Sequence, residues 1–321
     1  MCLKVTERLE TMEYKTEKLV NAILESYGSY DLTNRIDEEN IPNKNIIIEV
    51  VEKIRRVLFP GYFDNSKARS EYIKFLVGEQ LEFIQYNLKK QIAKALGSNE
   101  NCGDCPRSAL AEKSEDISYR FIEKLPQIRE YLCTDVQAAY DGDPAASSTD
   151  EIIFSYPGIF AITVYRIAHE LYLLEVPMIP RIMTEYAHSI TGIDIHPGAQ
   201  IGKYFFIDHG TGIVIGETTV IGDYVKIYQG VTLGALSTRK GQQLKGVKRH
   251  PTIGNNVTIY SGTSILGGET IIGDGATIGG NAFIVSSVDA GLKVSVKNPE
   301  LQFSGGVSDE LKQGEFWDWV I

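Results

Sequence analysis

The chain is short of cysteine, tryptophan and positive charge. It has 4 Cys in 321 residues, too few for the disulfide framework on which many small secreted domains depend. Its 32 Lys and Arg residues are outnumbered by 42 Asp and Glu residues, which gives a formal net charge of -10. Because nucleic-acid phosphates select basic surfaces, we expect no nucleic-acid partner.

Long apolar runs are also missing, and we expect no signal peptide in residues 1–10. No apolar segment approaches the roughly eighteen residues that a membrane helix needs, and residues 1–10 carry too many charges for a signal peptide. The sequence therefore predicts a cytoplasmic protein without a membrane contact. With 43% hydrophobic residues in 321, the chain has enough apolar material for two domains.

Cys102 and Cys105 have the spacing of a redox motif or of half a zinc site. No second pair of this kind follows them, and no predicted strand precedes them. We therefore favour two thiols in a polar loop over a metal or redox centre.

The sequence is rich in a six-residue repeat that runs from Ile193 to Val288. Branched apolar residues return every six positions, and glycine often follows them. A helix repeats every 3.6 residues and a strand every 2, so neither explains this period. The pattern predicts a left-handed parallel β-helix with three hexads in each coil. Its apolar positions are Ile195, Ile201, Ile207, Ile213, Ile215, Ile221, Ile227, Leu233, Ile253, Ile259, Ile265, Ile271, Ile272, Ile278 and Ile284.

The first 190 residues show helical spacing instead, with apolar residues three and four positions apart. This spacing predicts helices over about 4–27, 45–58, 67–96, 118–140, 151–174 and 179–190. The predicted fold class is α+β. We expect an α-helical assembly and substrate-side domain at 1–190, a β-helix domain at 191–290 and a C-terminal tail at 291–321.

One segment interrupts the six-residue repeat, between Leu233 and Ile253. About fourteen residues must leave the coil there, because twenty positions separate two repeats that should be six apart. Residues 236–248 carry Arg239, Lys240, Lys245 and Lys248 and no acid. This charge favours a lid over an anionic ligand, and the alternative is a merely solvated loop.

Asp194 and His209 are fifteen residues apart, close to the length of one coil, so neighbouring coils can bring them together. A carboxylate beside an imidazole stabilises the cation that forms when the imidazole accepts a proton, as in a general base that acts on a hydroxyl. The same pair can also be purely structural. Zinc ligands would need a different spacing from that of His196 and His209, so we expect no metal.

Two further positions carry charge where chemistry could use it. Arg249, with His250 beside it, closes the extruded loop, and its planar guanidinium suits a carboxylate. Asp143 lies in a turn just before a predicted helix, where it can either cap that helix or anchor an ammonium group.

Several of these motifs, taken together and in order, resemble those of serine O-acetyltransferases, which are hexapeptide-repeat acyltransferases. They are GIDIHPGAQIG at 192–202, IDHGTGIVIGET at 207–218, QGVTLG at 229–234 and RHP at 249–251, with DP at 143–144 and YRIAH at 165–169 upstream. The likeness covers roughly residues 140–290.

The resemblance implies transfer of the acetyl group of acetyl-CoA to the hydroxyl of L-serine, which gives O-acetyl-L-serine for cysteine biosynthesis. It implies that His209 is the general base, that Asp194 orients it, and that Asp143 and Asp208 surround the serine ammonium. Arg249 would hold the serine carboxylate, with His250 as a second active-site histidine. The implied CoA contacts are Gly234, Ala235, Ser261 and Gly280.

The resemblance also implies assembly. Family members work as homotrimers, with sites in the clefts between adjacent solenoids, and many pair two trimers through the helical domain. Their C-terminal isoleucine, here Ile321, inserts into O-acetylserine sulfhydrylase, where its carboxylate imitates that of O-acetylserine. Trp317 and Trp319 would either add buried area to that contact or fold back on the chain's own surface.

The sequence departs from the family pattern at three places. The loop 236–248 is longer than in short members, Ser147 stands where a second acid often follows the Asp-Pro pair, and 295–299 replaces the usual Gly-Val-Pro-Ala run. One alternative is another acetyl-CoA-dependent hexapeptide acyltransferase, with a sugar or amino sugar as acceptor. Another is a catalytically silent assembly protein. Arg249 together with two acids favours a zwitterionic amino acid as the acceptor.

Overall fold

The computed structural model describes residues 2–36, 40–63, 70–98, 106–239 and 241–297. The Cys102 and Cys105 pair, Lys240 and residues 298–321 of the predicted tail lie outside the described residues. The chain divides into two compact units, Met1–Ile41 and Pro42–Ile321.

The first unit consists mainly of one long helix, α1 (Cys2–Ser29), followed by a 3₁₀ turn at Asp31–Thr33. The apolar residues Leu19, Ile23 and Tyr27 recur along one side of this helix, and all three are exposed. The helix predicted here is confirmed, and its apolar side faces solvent.

Seven helices of the second unit lie within the described residues and precede the first strand. They are α2 (Lys44–Leu58), α3 (Ile73–Gly97), α4 (Arg107–Ile122), α5 (Leu125–Gly142), α6 (Thr149–Ser155), α7 (Pro157–Leu173) and α8 (Ile179–Thr191). α2 packs against α3, α3 against α4, and α7 against α8. Asn43 caps the start of α2, and its side chain accepts from the N–H groups of Asn45 and Ile46.

Two predicted helices are each broken into two by proline. The segment predicted as one helix over 118–140 is divided between α4 and α5, with Pro126 in the first turn of α5. The segment predicted over 151–174 is divided between α6 and α7, and Pro157 is the first residue of α7. Proline fits the first turn of a helix but cannot donate a hydrogen bond inside one.

The described residues then form fourteen short strands. These are β1 (Asp194–Ile195), β2 (Gln200–Ile201), β3 (Phe206–Asp208), β4 (Val214–Ile215), β5 (Val220–Ile221), β6 (Lys226–Tyr228), β7 (Thr232–Gly234), β8 (Thr252–Ile253), β9 (Thr258–Ile259), β10 (Ser264–Leu266), β11 (Ile271–Ile272), β12 (Thr277–Ile278), β13 (Phe283–Ile284) and β14 (Lys293–Val294).

The strands build three parallel sheets, which are the three faces of a solenoid. The strand orders are β1-β4-β7-β10-β13, β11-β8-β5-β2 and β14-β12-β9-β6-β3. Ile215 pairs with Leu233 and Leu233 with Ile265, so apolar residues of successive coils stack in register. All three are at most 1% exposed. The parallel β-solenoid predicted from the six-residue period is confirmed.

The predicted extruded loop is also present. The chain leaves the solenoid after β7, forms a 3₁₀ turn at Gly241–Leu244 and returns at β8. β8 pairs with β5, and β7 pairs with β10, so the solenoid continues in register on both sides of the loop. The loop therefore adds chain at one corner without interrupting the stack.

A buried ion pair attaches the helices to the first coil. The guanidinium of Arg166 donates from Nε and Nη2 to the carboxylate of Asp135, at 2.6 and 2.8 Å, and from Nη2 to Gly202 O at 2.8 Å. Asp135 is 0% exposed and also accepts from the N–H of Phe205 at 3.0 Å. The pair thus joins α5, α7 and the solenoid at one point.

The neighbouring residues of the 165–169 motif continue this attachment. Tyr165 Oη donates to Ala199 O at 2.6 Å, and His169 Nδ1 lies 2.7 Å from Pro197 O. The motif is therefore a structural contact between α7 and the first coil.

Among the described residues no single helix combines the length and apolarity that a membrane span needs. α6 and α7 together, bent by 73° at their junction, meet that test of length and composition.

Candidate functional site

The predicted site residues gather at two corners of the solenoid, one at each end of the face that contains β4. The turn after β3 holds Asp208 and His209, and we call it with its neighbours the His209 corner. The turn after β4 contacts Arg249 and His250, and we call this the Arg249 corner. A face of about six residues at roughly 3.3 Å per residue is about 20 Å long, so the two corners of one chain are well separated.

His209 projects from its corner into solvent. Its backbone is in the left-handed region, with φ 57°, and its side chain is 68% exposed. Its Nδ1 lies 3.6 Å from Oδ1 of Asp208, whose side chain is only 13% exposed. The turn continues through Gly210, where a Cβ would lie 2.5 Å from the Ile193 side chain. The corner therefore requires glycine there and presents an accessible imidazole beside a carboxylate.

Asp143 ends α5 beside the same corner. Its Oδ2 accepts from Tyr156 Oη at 2.6 Å, and its Oδ1 accepts from the N–H of Ala145 at 2.8 Å. These two hydrogen bonds lower the pKa of Asp143, aided by the charges of His209 and Lys226. The bond to Asp143 in turn raises the pKa of Tyr156 to about 12. Asp143 is thus an ionised carboxylate near the imidazole.

The capping alternative for Asp143 does not apply, because Ser148 caps α6. Ser148 Oγ accepts from the N–H of Glu151 at 3.1 Å. Glu151 in turn accepts from Ser147 through both its N–H, at 2.8 Å, and its hydroxyl, at 2.5 Å. Ser147 stands where the family pattern often has a second acid, and the acid that contacts this position is Glu151, from the first turn of α6.

The Arg249 corner is a second charged cluster. Arg249 Nη2 donates to Glu217 Oε2 at 2.5 Å, and its Nη1 donates to Leu244 O at 3.1 Å. Tyr172 Oη donates to the other oxygen of Glu217 at 3.1 Å. Burial opposes ionisation of Glu217, but the hydrogen bond from Arg249 and the charges of His196 and Arg249 outweigh this and lower its pKa. Nη1 also donates to Val247 O at 3.5 Å, so of the five N–H donors of the guanidinium, Nε and one Nη2 hydrogen remain for a ligand among the described contacts.

His250 is held in one tautomer. It is 8% exposed, and its Nδ1 accepts from the N–H of Thr218 at 3.0 Å, so Nε2 carries the proton. Burial, with the charge of Arg249, lowers the pKa of His250 to about 4. A Cβ on Gly216 would lie 2.1 Å from its ring, so this glycine makes room for the imidazole. His250 is therefore a neutral hydrogen-bond donor at neutral pH.

A cavity of about 330 Å³ lies between the extruded loop and this corner. It is lined by Glu217, Thr238, Gly241, Gln242, Leu244, Lys245 and Arg249. Its two basic residues are Lys245, on the loop, and Arg249, where the loop ends. The cavity agrees with the prediction that the loop covers a ligand, which stays a prediction.

The four residues predicted to contact CoA are divided between the two corners. Asp208 pairs with Tyr228, and the same sheet continues through β9 and β12, which places Ser261 and Gly280 on later coils above His209. Gly234 ends β7, which pairs with β4, so Gly234 and Ala235 lie above the turn that contacts Arg249. All four side chains are small, which leaves space along the solenoid.

Asp194 does not contact His209 in the described part of the chain. It lies on β1, which pairs with β4, and its nearest ionic partner is Arg181, with Nη1 3.5 Å from Oδ1. The predicted orienting contact between Asp194 and His209 therefore stays a prediction.

Glu185, His188 and Asp194 form the one group of described residues with metal-ligand proximity. Arg181 forms ion pairs with both carboxylates of this group. An arginine in that position already supplies the positive charge that a metal ion would bring.

Four residues of these corners were not predicted from the sequence: Tyr156, Tyr172, Glu217 and Lys226. Glu217 lies inside a motif that resembles the family's, and its acid was a usable signal. The other three come from helices or strands distant in sequence, and no spacing marks them.

Comparisons with known proteins identify similar chains. No protein-family model matches the chain. It is 44% identical over 276 residues to a plasmid-encoded serine acetyltransferase of Synechococcus elongatus. This alignment covers 83% of this chain and 86% of the relative. The crystal structure of serine acetyltransferase isoform 3 from Entamoeba histolytica, in complex with cysteine, aligns with TM-score 0.68 and 36% identity over 89% of this chain and 93% of that one. The Neisseria gonorrhoeae serine acetyltransferase in complex with serine aligns with TM-score 0.51 and 30% identity over 77% and 95%.

Proposed function

Because the chain belongs to the serine acetyltransferase family, we propose that it transfers the acetyl group of acetyl-CoA to the hydroxyl of L-serine. The observation that carries the proposal is the pairing of charges at the two corners. One offers an imidazole with the carboxylates of Asp143 and Asp208, and the other offers the guanidinium of Arg249. Together they match a zwitterionic acceptor with a hydroxyl.

The proposed chemistry needs one proton acceptor and no covalent enzyme intermediate. A serine hydroxyl is a poor nucleophile at neutral pH, so His209 removes its proton as the oxygen attacks the thioester carbonyl carbon. The tetrahedral intermediate then expels the CoA thiolate, and the imidazolium of His209 returns the proton to it. The products are O-acetyl-L-serine and CoA. Asp194 would orient His209 in the assembled enzyme.

The proposed roles of the other residues follow from their charges. Asp143 and Asp208 hold the serine ammonium, and Nε with the remaining Nη2 hydrogen of Arg249 forms a two-point contact to the carboxylate. His250 donates from Nε2 beside it. The tyrosine hydrogen bond that keeps Asp143 ionised supports the ammonium role.

We propose that each site is completed by a second copy of the chain. One chain holds its His209 corner and its Arg249 corner at opposite ends of a face, so they cannot close on one serine. Packing the His209 corner of one solenoid against the Arg249 corner of the next brings the two together, and repeating this contact around a threefold axis closes a homotrimer. The helical residues 1–190 would then pair two trimers, and the solenoid predicted at 191–290 would carry the sites. The predicted tail at 291–321 begins with β14, which still pairs with β12 of the solenoid, so the separate tail would consist of the residues after β14.

Acetyl-CoA would lie along the solenoid between the copies. Ser261 and Gly280 lie above one corner and Gly234 and Ala235 above the other, so small residues border both sides of such a groove. Lys245 on the extruded loop is placed to contact an anionic part of the molecule.

The acceptor can be tested by measuring CoA release with L-serine, L-threonine, O-phosphoserine and an amino sugar. We expect release with L-serine and none with O-phosphoserine, whose hydroxyl is blocked. Arg249→Lys should raise the KM for serine by about tenfold or more and leave that for acetyl-CoA nearly unchanged, because lysine cannot form the two-point contact. Arg120→Lys, on the exposed face of α4, is the control.

An amino sugar as the preferred acceptor would overturn the proposed substrate. Equal effects of Arg249→Lys on both KM values would place Arg249 at the CoA phosphates instead.

We also propose a cytoplasmic location and a partner, O-acetylserine sulfhydrylase. Deleting Ile321 should lower the affinity for this enzyme by about tenfold or more in a calorimetric titration, because the deletion removes both the apolar side chain and the carboxylate position that imitate the substrate. Replacing Trp319 by Phe, with Ile321 kept, tests whether the preceding aromatic residues contribute. Equal affinity of the full chain and the truncated one would contradict the partner assignment and leave the acetyltransferase proposal intact.

A further inference from the structure

Lys226 lies at the His209 corner, where its ammonium group is near the carboxylate of Asp208 and binds the backbone next to Asp143. The proposed function gives the serine ammonium to these two carboxylates. We propose that Lys226 is a fixed counter-cation that offsets one of these carboxylates and thereby sets the pH range in which His209 can act as a base. The inference rests on the proposed function and deepens it, because it concerns the same site.

The position of the ammonium group is the first support. Lys226 begins β6 and pairs with Phe206 on β3, one strand below. Its Nζ donates to Gly142 O at 2.6 Å, in the residue that precedes Asp143. The same Nζ lies 4.0 Å from Oδ2 of Asp208. One ammonium therefore contacts the segments that carry both carboxylates.

The ammonium is also held in place. It lies 4.9 Å from the ring centroid of Phe206 and 4.8 Å from that of Tyr228, and its side chain is 23% exposed. A Cβ on Gly142 would lie 2.7 Å from the Phe206 ring, so the end of α5 packs closely on β3. The faces of aromatic rings attract a cation. The ammonium of Lys226 is near two rings and is bonded to a carbonyl, so it has less conformational freedom than that of a surface lysine.

The charges that face His209 show what Lys226 changes. Asp208 belongs to the same turn, Asp143 ends α5, and Lys226 comes from β6. Tyr156, between α6 and α7, and Glu151 of α6 lie behind Asp143 and interact with it. Within one chain, Asp143, Asp208 and Lys226 together leave one net negative charge near the imidazole, and the proposed contact of Asp194 in the assembled enzyme would add another.

Without Lys226 the two carboxylates would act on His209 uncompensated. Negative charge favours the imidazolium, and an imidazolium cannot remove the serine proton. The lysine would therefore keep His209 neutral at lower pH than the carboxylates alone would allow.

The test compares pH profiles of wild type, Lys226→Met and Lys226→Arg. Methionine keeps most of the apolar length and removes the charge, whereas arginine keeps the charge. In Lys226→Met we expect the acid-side fall of kcat/KM for serine to move to higher pH by about half a unit. In Lys226→Arg, which keeps the charge, this fall should lie close to its position in wild type. Lys203→Met is the control. Lys203 lies away from this corner and forms an ion pair with Glu130, with Nζ 2.6 Å from Oε1, so its loss should leave the pH profile unchanged.

A second measurement does not depend on activity. The imidazole signal of His209, assigned by its loss in His209→Ala, can be titrated by NMR in wild type and in Lys226→Met without substrate. The midpoint should rise by a similar amount. If both the kinetic limb and the NMR midpoint stay in place while kcat or KM changes, Lys226 only holds the Gly142 turn and the inference is wrong. If wild type releases no CoA with serine, the proposed function fails, and the NMR titration still decides the role of Lys226.

Discussion

His209→Ala is expected to lower kcat by about 10²–10⁴-fold, because it removes the group that takes the serine proton. The fold should remain, since the side chain is 68% exposed and contributes nothing to the core. CoA release under saturating substrates measures the rate, and circular dichroism with thermal unfolding measures the fold. Asp194→Asn should lose less activity than His209→Ala, because its proposed role is to orient the base.

A matched control separates the imidazole from the backbone that carries it. Asn256 occupies another corner of the solenoid with the same left-handed φ of 57°, and it is exposed. Asn256→Ala therefore places alanine in the same strained conformation without removing an imidazole. Near-normal turnover of well-folded His209→Ala, or an equal loss in Asn256→Ala, would contradict the proposed mechanism.

Arg166→Met is expected to lower the free energy of unfolding by about 3–5 kcal/mol, because it leaves a buried carboxylate without its partner. Asp135 is 0% exposed and would keep only the N–H of Phe205 from the contacts described above. Urea unfolding at a fixed protein concentration measures the change, since assembly would make stability depend on concentration. The double variant Asp135→Leu with Arg166→Met should recover much of the loss, because no unpaired charge then remains.

The exposed pair of Asp116 and Arg120 is the control for this experiment. Its atoms are 3.5 Å apart, and its side chains are 64% and 58% exposed. Arg120→Met should change the free energy of unfolding by less than about 1 kcal/mol, because water screens the pair. Losses of the same size in both variants would show that burial of the Arg166 pair does not determine its contribution.

The solenoid could be predicted from sequence because its determinant is local and repeated. Each inward position must be apolar, as Ile215, Leu233 and Ile265 are, and each coil repeats the requirement on the coil before it. In the helical residues 1–190, the points at which one helix ends and the next begins were predicted less well. Apolar spacing runs across the junction before Pro157 with little change, and only the proline marks the place where the hydrogen-bond ladder stops.

The charged motifs, too, were visible in sequence, and the resemblance grouped them in one site, but residue spacing did not show which of them meet within one chain. Asp208 and His209 are neighbours in the chain and remain neighbours in space. Arg249 belongs to the same family pattern but lies at the other end of the face that contains β4. It binds Glu217 in the turn after β4, whereas His209 lies in the turn before β4. A period of six fixes which way each side chain points and leaves open which corners meet.

The sequence alone determined that this chain forms a β-solenoid with one extruded loop, because period and its interruption are properties of neighbouring residues. Only the tertiary structure decided that Lys226 from β6 and Asp143 from the end of α5 share a corner with His209. That meeting depends on how α5 packs against Phe206, where Gly142 leaves room for the ring. No periodicity encodes a contact between segments that are 84 positions apart, since it arises from the shapes of two surfaces and not from the order of residues in either.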